Sequence, residues 1–578
     1  MMQGNNAKLK TSLPLLIALA LAGCGGGDDS STPNPAPAAT TLSGTAAAGA
    51  PISGTVTVRD SDTNTPDKIV DIKADGSFNV DVSGLKAPFM LQAAGTVGDR
   101  SYTIYSAATA AGTVNVTPLT DLVVANAAGG AASTAFEAAD FSKLTDANLD
   151  AAENILKTRL APVLQATGSA NTDLMNGAFA ANHTGIDAAL DLLDVSVSGN
   201  TATITVKGVN ATMLDDLSTT SDKQSVSTSA DAVTAVKSDN EAIVKLIEDA
   251  SAKFAAATDA NDASLRALFN ANSFLSMGEK LDGFLGMLFT HRAETGEAIS
   301  FDNVSVQKYV TETGTPPRAW VSFLLMQSGG QDSNFGLWVE KGADGTWRII
   351  GDQMISDIVV QAMAVSSWFP PSNGTLSSNG VRSGINFFIG MDSPAAIAKG
   401  LDHATVQGAG VDVTLTKSST SNHLGLNGTG DNVVDLTDAA IDTLSDNTGY
   451  TITLYDGTSN VIDSYTLNLP KVPVKASTLD ARTSFPMLTD NAIKNFDYNS
   501  YGTFTMDWTM PYNLKANDIG MFIADANGNN YSSGDIGLNA NATSKEFKTN
   551  LTGIAMSGYM YLDARDVYGR KYSMYIGL

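Results

Sequence analysis

Residues 54–82 read GTVTVRDSDTNTPDKIVDIKADGSFNVDV, and apolar side chains occupy alternate positions in three short runs of this stretch, 54–58, 69–72 and 77–82. Turn residues such as Asp75 and Gly76 separate the runs. Because successive side chains of a strand point to opposite faces, this alternation predicts strands with one buried face. The same pattern recurs from about residue 379 onward, so the chain is expected to be mainly β.

The composition excludes several classes of protein. The chain has 578 residues, 35 Lys and Arg against 60 Asp and Glu, a formal net charge of −25, and a single cysteine. This length predicts about three to five domains. The acidic balance argues against a nucleic-acid partner, since phosphate binding needs clustered basic residues. One cysteine excludes an internal disulfide and Cys₄ or Cys₂His₂ zinc sites, and no metal or cofactor is expected.

The N-terminal residues 1–23 have the features of a secretory signal peptide. Lys8 and Lys10 precede an apolar run over 13–21, which is too short to span a bilayer as a helix. No later stretch offers about 18 uninterrupted apolar residues. Any membrane attachment of the mature chain is therefore expected to be an anchor and not a span.

The apolar run ends in Leu21-Ala22-Gly23-Cys24, and here the chain resembles bacterial lipoprotein precursors. The resemblance implies that Cys24 is acylated and becomes the first residue of the mature protein. Gly25 replaces the Asp that tends to retain such proteins in the inner membrane, which implies the outer membrane. Residues 24–41 are expected to form the lipidated cysteine and a flexible tether. Whether the folded part faces the periplasm or the exterior stays open.

Residues 42–116 resemble the carboxypeptidase regulatory-like domain, a small transthyretin-like β-sandwich. The resemblance rests on Gly44, Pro51, Ile52, Gly54, Val56, Val58 and the run 75–78. It implies a structural or adhesive module without peptidase chemistry.

Residues 117–217 are expected to form a helical segment that ends in a β-hairpin. Thr117 followed by Pro118 is a helix start, and Gly199-Asn200 lies between two short apolar runs as a hairpin turn. Residues 218–237 are rich in Ser, Thr, Ala and Asp and are expected to be a linker. Ser238 and Glu241 have the spacing of a capping box, which predicts a helix that begins there.

Residues 238–365 show helical apolar stripes followed by four strand patterns, the last of them ending at Asp352. This order resembles the nuclear-transport-factor-2-like fold, in which a curved sheet and helices form a cone with a pocket. Candidate pocket residues are Asp282, His291, Tyr309 and Asp352, none of which matches a catalytic pattern of that family. Three alternatives remain: catalysis, a filled structural core, and a site for a small apolar ligand.

Residues 379–470 and 484–578 are expected to form two β-sandwiches that resemble immunoglobulin-like and fibronectin-type modules. Pro470, Pro473 and Pro486 mark the boundary between them. Their aromatic side chains are expected in cores and edges in preference to a binding stripe; they are Tyr455, Tyr465, Trp508, Phe522, Tyr559, Tyr561 and Tyr568.

Motifs of catalysis are missing from the sequence. The four histidines have no H-x-x-x-H or H-E-x-x-H spacing, and G-x-S-x-G and the P-loop pattern are absent. Two acidic turns, at 60–64 and 525–529, carry alternate oxygen ligands but lack the Gly and the bidentate Glu of a calcium loop, so solvated hairpin turns are the better interpretation.

Together these patterns predict a multidomain, mainly β protein with an α+β centre, in which β-sandwich modules flank a helical segment and a curved-sheet cone domain. The expected function is non-enzymatic: a lipid-anchored protein of the cell envelope with a binding, adhesive or scaffolding role. Its partner would be an unknown envelope protein or glycan. The alternative is an enzyme or small-ligand carrier that acts through the pocket of the central cone.

Overall fold

A computed structural model describes residues 40–577 apart from 63, 220–222, 296–298, 328–331, 370–376, 420, 490–501, 526, 528, 550 and 552–554. Strands dominate this part of the chain, and most of them pair in antiparallel sheets around several hydrophobic cores. The expectation of a multidomain, mainly β fold with an α+β centre is therefore confirmed.

The N-terminal residues form a sandwich of two sheets. Its strands are β1 (Thr41–Thr45), β2 (Ser53–Arg59), β3 (Lys68–Asp71), β4 (Ser77–Asp81), β5 (Phe89–Val97), β6 (Arg100–Ala108) and β7 (Gly112–Thr113). One sheet has the order β4-β1-β7 and the other β3-β2-β5-β6. Leu42, Val56 and Phe78 are at most 2% exposed in the core between them.

A helical segment follows. It contains α1 (Pro118–Ala128), α2 (Ala132–Ala138), α3 (Asp146–Arg159), α4 (Ala161–Ala166), α5 (Ile186–Leu192), β8 (Leu193–Ser198), β9 (Thr201–Val206) and β10 (Ala211–Asp216). Thr117 caps α1 through its side chain, which accepts a hydrogen bond from the Thr120 amide at 3.1 Å. The core of this segment includes Met90 and Tyr105 of the sandwich, so residues 42–116 and 117–217 share a hydrophobic core.

The expected linker over 218–237 differs from the structure. The helix α6 (Ala230–Ala256) begins inside it, where Ser229 is the N-cap and accepts from the Ala232 amide at 3.2 Å. Ser238 lies within this helix and donates to the Thr234 carbonyl, so it caps nothing. Val226 and Val233 are buried in the core of the helical segment. Apolar burial therefore prevails over a composition that is typical of linkers.

The centre of the molecule is an α+β unit. It contains α6, α7 (Ala263–Arg266), α8 (Leu281–Thr295), β11 (Ile299–Val310), β12 (Arg318–Gln327), β13 (Asp332–Lys341) and β14 (Trp347–Gly351). The four strands form an antiparallel sheet in the order β11-β12-β13-β14, with register shifts in β11 and at the start of the β13–β14 pair. The helices pack on one face of this sheet around a core of aliphatic and aromatic side chains.

The remaining elements are all strands apart from three short helical turns. They are β15 (Ile358–Phe369), β16 (Ser377–Ile389), α9 (Pro394–Lys399), β17 (Leu401–Gly408), β18 (Val411–Lys417), β19 (Leu424–Leu426), β20 (Val433–Asp435), α10 (Asp438–Ile441), β21 (Thr448–Asp456), β22 (Val461–Leu469), a 3₁₀ turn (Ala476–Thr478), β23 (Met487–Leu488), β24 (Gly502–Thr509), β25 (Lys515–Asp525), β26 (Asn530–Gly537), β27 (Ser544–Thr549), β28 (Ala555–Arg565) and β29 (Lys571–Gly577).

One seven-stranded sheet, in the order β20-β16-β15-β29-β28-β25-β26, runs through this C-terminal part. A five-stranded sheet, β19-β18-β17-β21-β22, shares a core with β15 and β16, and the three-stranded sheet β23-β24-β27 shares another with β25, β28 and β29. The sequence boundaries 238–365, 379–470 and 484–578 therefore need correction. Strand β15 crosses the end of the expected cone domain and pairs in parallel with the last strand of the chain.

No helix in the described part of the chain is long and apolar enough to cross a membrane.

Candidate functional site

The central α+β unit encloses a cavity with a volume of about 40 Å³ between its helices and its sheet. The side chains that line it are all apolar: Ile247, Phe254, Leu265, Phe269, Met277, Phe284, Leu285, Leu288, Phe301, Phe323, Leu325, Phe335, Leu337 and Ile349. Several belong to the helical apolar stripes in the sequence. Such a lining offers a small ligand hydrophobic contact but no group for acid/base chemistry.

None of the four candidate pocket residues lines this cavity. Asp282 lies in the first turn of α8, where its side chain is 84% exposed and pairs with Arg266. His291 lies half-buried near the other end of the same helix. A carboxylate that faces solvent keeps its ordinary hydration, so Asp282 has no means to act inside the cavity.

Asp352 and Tyr309 have structural contacts at the margin of the unit. The Asp352 carboxylate accepts from the Met277 amide at 3.0 Å and the Met354 amide at 2.8 Å, which fixes the segment after β14. Burial raises the pKa of Asp352 to about 6. The Tyr309 hydroxyl donates to Asn240 of α6 at 3.3 Å, and burial raises the pKa of this phenol.

A buried polar cluster at α5 went unnoticed in the sequence. The His183 ring nitrogen Nδ1 lies 2.9 Å from Oδ2 of Asp191, and the His183 amide donates to Oδ2 of Asp187 at 2.7 Å. Both carboxylates are at most 1% exposed, and within the described chain neither Oδ1 has a hydrogen-bond partner. The sequence gives one partial signal of this cluster: Asp187 and Asp191 are four residues apart and lie on one face of α5, whereas His183 precedes the helix.

The titration of this cluster follows from its burial. Burial, and then the Asp191 charge, raises the pKa of Asp187 to about 7. Burial lowers the pKa of His183, but the hydrogen bond and charge of Asp191 outweigh it and raise that pKa to about 9. At neutral pH His183 is therefore protonated beside Asp191, and Asp187, which accepts from the His183 amide, is about half protonated.

A second candidate site is the outward face of the seven-stranded sheet. Phe522, Tyr559 and Tyr575 stand on the adjacent strands β25, β28 and β29, with ring centroids 5.8 and 5.7 Å apart and ring planes within 24° of parallel. Tyr559 is 39% exposed and Tyr575 is 37% exposed. Intervening residues such as Met560 and Met574 are fully buried on the opposite face. The three rings therefore form a continuous row on the surface.

Tyr561 completes this surface. Its ring lies over Gly520 of the neighbouring strand, because a Cβ at Gly520 would overlap the Tyr561 Oη, Cζ and Cε1 atoms. The Tyr561 hydroxyl donates to the Asp535 carboxylate on β26. A ring that covers a strand glycine protects the backbone below and turns its second face outward. We call Phe522, Tyr559, Tyr561 and Tyr575 the aromatic face.

This face differs from the sequence expectation that the C-terminal aromatic residues serve cores and edges. Trp508 is 3% exposed in the core, and Tyr465 accepts from the Ile355 amide at 3.0 Å. Phe522, Tyr559 and Tyr561 instead point outward. Alternation within each strand places them there, but sequence alone does not tell which face of a strand is covered by a second sheet.

In the two acidic turns the carboxylates of Asp60 and Asp525 accept hydrogen bonds from backbone amides. Asp60 accepts from the Asp62 and Lys86 amides at 3.0 and 2.8 Å, and Asp525 accepts from the Asn527 and Asn529 amides at 2.9 and 2.8 Å. No group of three or more His, Cys, Asp or Glu residues suited to a metal ion occurs among the residues that the structure describes. The lipidation candidate Cys24 lies outside those residues.

Comparisons with known proteins leave the family of this chain undefined. No family model matches it, and no curated protein is similar. The solved structures with weak likeness to it include the following three. The FN1–FN3 domains of chicken CNTN1 are 6% identical over 48% of this chain and 98% of theirs, with a TM-score of 0.13. A tetra-tandem repeat from the extending region of a large adhesion protein is 10% identical over 93% and 98%, with a TM-score of 0.12.

The third, from a bacterial ice-binding adhesin, is 9% identical over 45% of this chain and 89% of that one, with a TM-score of 0.12. Scores of this size define neither a shared fold nor a shared role. The sheets and surfaces of this chain alone therefore support its functional interpretation.

Proposed function

We propose that this protein is a non-enzymatic, lipid-anchored protein of the cell envelope that binds a partner through its aromatic face. The observation that carries the proposal is the row of Phe522, Tyr559 and Tyr575 on the sheet surface, in which both tyrosines are exposed and Phe522 is half-buried. Exposed contiguous aromatic surface is costly in water and is typical of interaction sites. Tyr supplies a large, rigid contact with a polar end and loses little conformational entropy on binding.

The non-enzymatic part of the proposal rests on the cavity of the central unit. Its lining contains hydrocarbon and one thioether but no ionisable group. General acid/base catalysis needs a titratable group within hydrogen-bond reach of the substrate. The cavity therefore suits binding or packing better than chemistry.

The anchor is proposed from the residues before the folded unit. An acylated Cys24 followed by a tether would hold residues 40–577 at a membrane without a spanning helix. We expect Cys24→Ser to move the protein from the membrane to the soluble fraction. Gly25→Asp is the matched variant, because it keeps the cysteine and should move the anchored protein from the outer to the inner membrane. A Cys24→Ser protein that stays tightly bound to membranes would contradict the anchor.

Photo-cross-linking in intact cells tests the aromatic face. A photoreactive phenylalanine analogue at position 559 or 575 should cross-link to one envelope component. The same analogue at position 512 is the control, because Tyr512 is 95% exposed but lies in the loop before β25. The double variant Tyr559→Ala/Tyr575→Ala should no longer bind this envelope component. Equal cross-linking from all three positions would refute the face as the binding surface.

Deletion of residues 379–578 is a poor alternative test. Strand β15 pairs with β16 on one side and β29 on the other, so the deletion removes most of β16 and all of β29. The remaining chain would expose two strand edges and lose binding through unfolding or aggregation. Point variants on the aromatic face keep both partners of β15.

A second candidate function is the carriage of a small apolar ligand in the central cavity. The cavity observation favours it, because an apolar cavity stays dry and accepts apolar guests. A cavity of about 40 Å³ admits only a guest of about the size of a xenon atom. Dissolved xenon should therefore shift its NMR resonance on binding, and Leu285→Phe, which fills the cavity, should reduce that shift. Leu214→Phe is the control, at a side chain 63% exposed. Equal xenon shifts from both variants would exclude the cavity.

A further inference from the structure

We infer that the aromatic face binds a neutral glycan chain. The inference rests on the proposed function and names the chemistry of the partner. A sugar ring is amphipathic in the same sense as this surface: its C–H groups form an apolar face, and its hydroxyls surround that face as hydrogen-bond donors and acceptors. A surface that recognises it needs exposed ring area, neighbouring polar groups and little charge.

The ring area is continuous across the sheet. Two rows of directly opposed residues cross it. In the first, Tyr559 pairs with Phe522 on one side and Gly577 on the other; in the second, Tyr561 pairs with Gly520 and Tyr575. Each row thus combines aromatic residues with a glycine, so no aliphatic side chain interrupts the surface. Chain polymers fit such an elongated platform because successive units contact successive rings.

Polar groups flank the rings on the outermost strand. Ser532 of β26 stands opposite Phe522, and Asp535 stands opposite Gly520. The Asp535 carboxylate accepts the Tyr561 hydroxyl, which leaves its second oxygen able to accept from a sugar hydroxyl. Strand β26 lies at the edge of the sheet, and Ser532 and Asp535 are exposed on it, so a ligand reaches these groups without displacing protein.

The charge on this face selects the class of glycan. Among the described outward residues of the two rows, Asp535 is the one charged group. The next row of the face holds Asp518 opposite Asp563, both buried. The nearest basic residues, Lys571 and Arg565, have their backbones four residues along the strands from Tyr575 and Tyr561, about 13 Å away. Lys571 pairs with Asp563, and Arg565 donates to Asn517 at 2.8 Å. A carboxylate in a chain of net charge −25 repels anionic polymers, so the fit is to uncharged sugars.

The test is affinity electrophoresis and calorimetry on the purified chain without its lipid. Migration should be retarded in gels that contain hydroxyethyl cellulose or glucomannan, both neutral, and unchanged in gels with polygalacturonate or heparin. Cellohexaose and chitohexaose are the calorimetric probes. Tyr559→Ala and Tyr575→Ala should each weaken the bound neutral glycan about tenfold. Tyr512→Ala should leave its affinity unchanged, and equal melting temperatures verify that the variants fold.

Tyr561→Phe separates a binding role from a structural one. It keeps the ring over Gly520 but removes the hydrogen bond that holds the Asp535 carboxylate in place. Glycan affinity should therefore fall, while the melting temperature should equal that of Tyr512→Ala. If none of the four neutral glycans binds, the glycan inference is wrong. If Tyr559→Ala and Tyr575→Ala nevertheless no longer bind the cross-linked envelope component in cells, the aromatic face is still a binding surface, but for a partner other than a neutral glycan. Concentration-dependent dimerisation that Tyr559→Ala abolishes would assign the face to a second copy of this chain and overturn the inference.

Discussion

The cluster of His183, Asp187 and Asp191 makes stability depend on pH. The pKa of Asp187, about 7, exceeds its unfolded value, so its contribution falls as pH rises from about 4 to 7. The pKa of His183, about 9, also exceeds its unfolded value, so its contribution is complete below about 6.5 and is lost as pH rises through 9. Both groups therefore weaken the native state towards alkaline pH.

We expect the free energy of unfolding to fall by up to about 3 kcal/mol between pH 6.5 and 9.5 because of His183. Urea titrations across this range measure it. His183→Gln should flatten the alkaline decline, whereas Asp187→Asn should flatten the decline below pH 7. An unchanged pH profile in both variants would show that the cluster titrates as it does in the unfolded chain.

Asp215 is a buried carboxylate that forms ion pairs with Arg159 and Lys223. It is 0% exposed and accepts from Arg159 at 2.8 Å, from Lys223, and from Asn126 at 2.9 Å. Burial raises its pKa, but these hydrogen bonds outweigh burial and lower it overall. Removal of one member of a buried pair leaves the others uncompensated.

We expect Asp215→Ala to reduce the free energy of unfolding by about 3–5 kcal/mol. Asp216→Ala, at the exposed neighbouring carboxylate, should change it by less than about 1 kcal/mol. Denaturant unfolding of both variants gives the comparison. A loss in Asp215→Ala no larger than in Asp216→Ala would mean that Arg159 and Lys223 find water when the carboxylate is removed.

At the scale of single elements, the sequence predicted strands and caps well where a local rule decides them. The hairpin Gly199-Asn200 closes with Ser198 opposite Thr201, and Thr117 caps α1 as expected. The start of α6 is not fixed locally, because both Ser229 and Ser238 precede helix-forming residues. Burial of Val233 in one core and Ile243 in the next selects the earlier start. Tertiary packing therefore decided what propensity left open.

The N-cap of α6 gives a test at this scale. Ser229→Ala should destabilise the N-terminal turns of α6 by about 1 kcal/mol, because the Ala232 amide loses its acceptor. Ser238→Ala should be neutral or slightly stabilising, since alanine is the better residue inside a helix. Hydrogen exchange of the amides over 230–240 measures both. Faster exchange in Ser238→Ala than in Ser229→Ala would indicate that α6 begins at Ser238.

At the scale of the whole molecule, the sequence contains the strands of the C-terminal region but not their partners. Alternating patterns predict strands from about residue 379 onward, which include β29, but they identify neither β15 nor the pairing of Met363 with Lys571. Such a contact closes a very long loop, and its entropy cost is recovered only in the assembled sheet. For the same reason the aromatic face was unpredictable: which side of β25 and β28 is covered depends on strands distant in sequence.

The shared sheet predicts that damage at the last strand spreads to residues assigned by sequence to a separate domain. Met574 is fully buried and stands opposite Ser366 of β15 and Leu562 of β28. Met574→Ala should cost about 2–5 kcal/mol and speed hydrogen exchange in β15 as well as in β28. Tyr575→Ala, one residue on and outward, is the control and should leave β15 protected. If exchange rises only within 484–578, two independent sandwiches exist. If exchange rises in β15 too, both C-terminal cores unfold as one cooperative unit. The aromatic face then belongs to a single continuous sheet and not to a separate terminal domain.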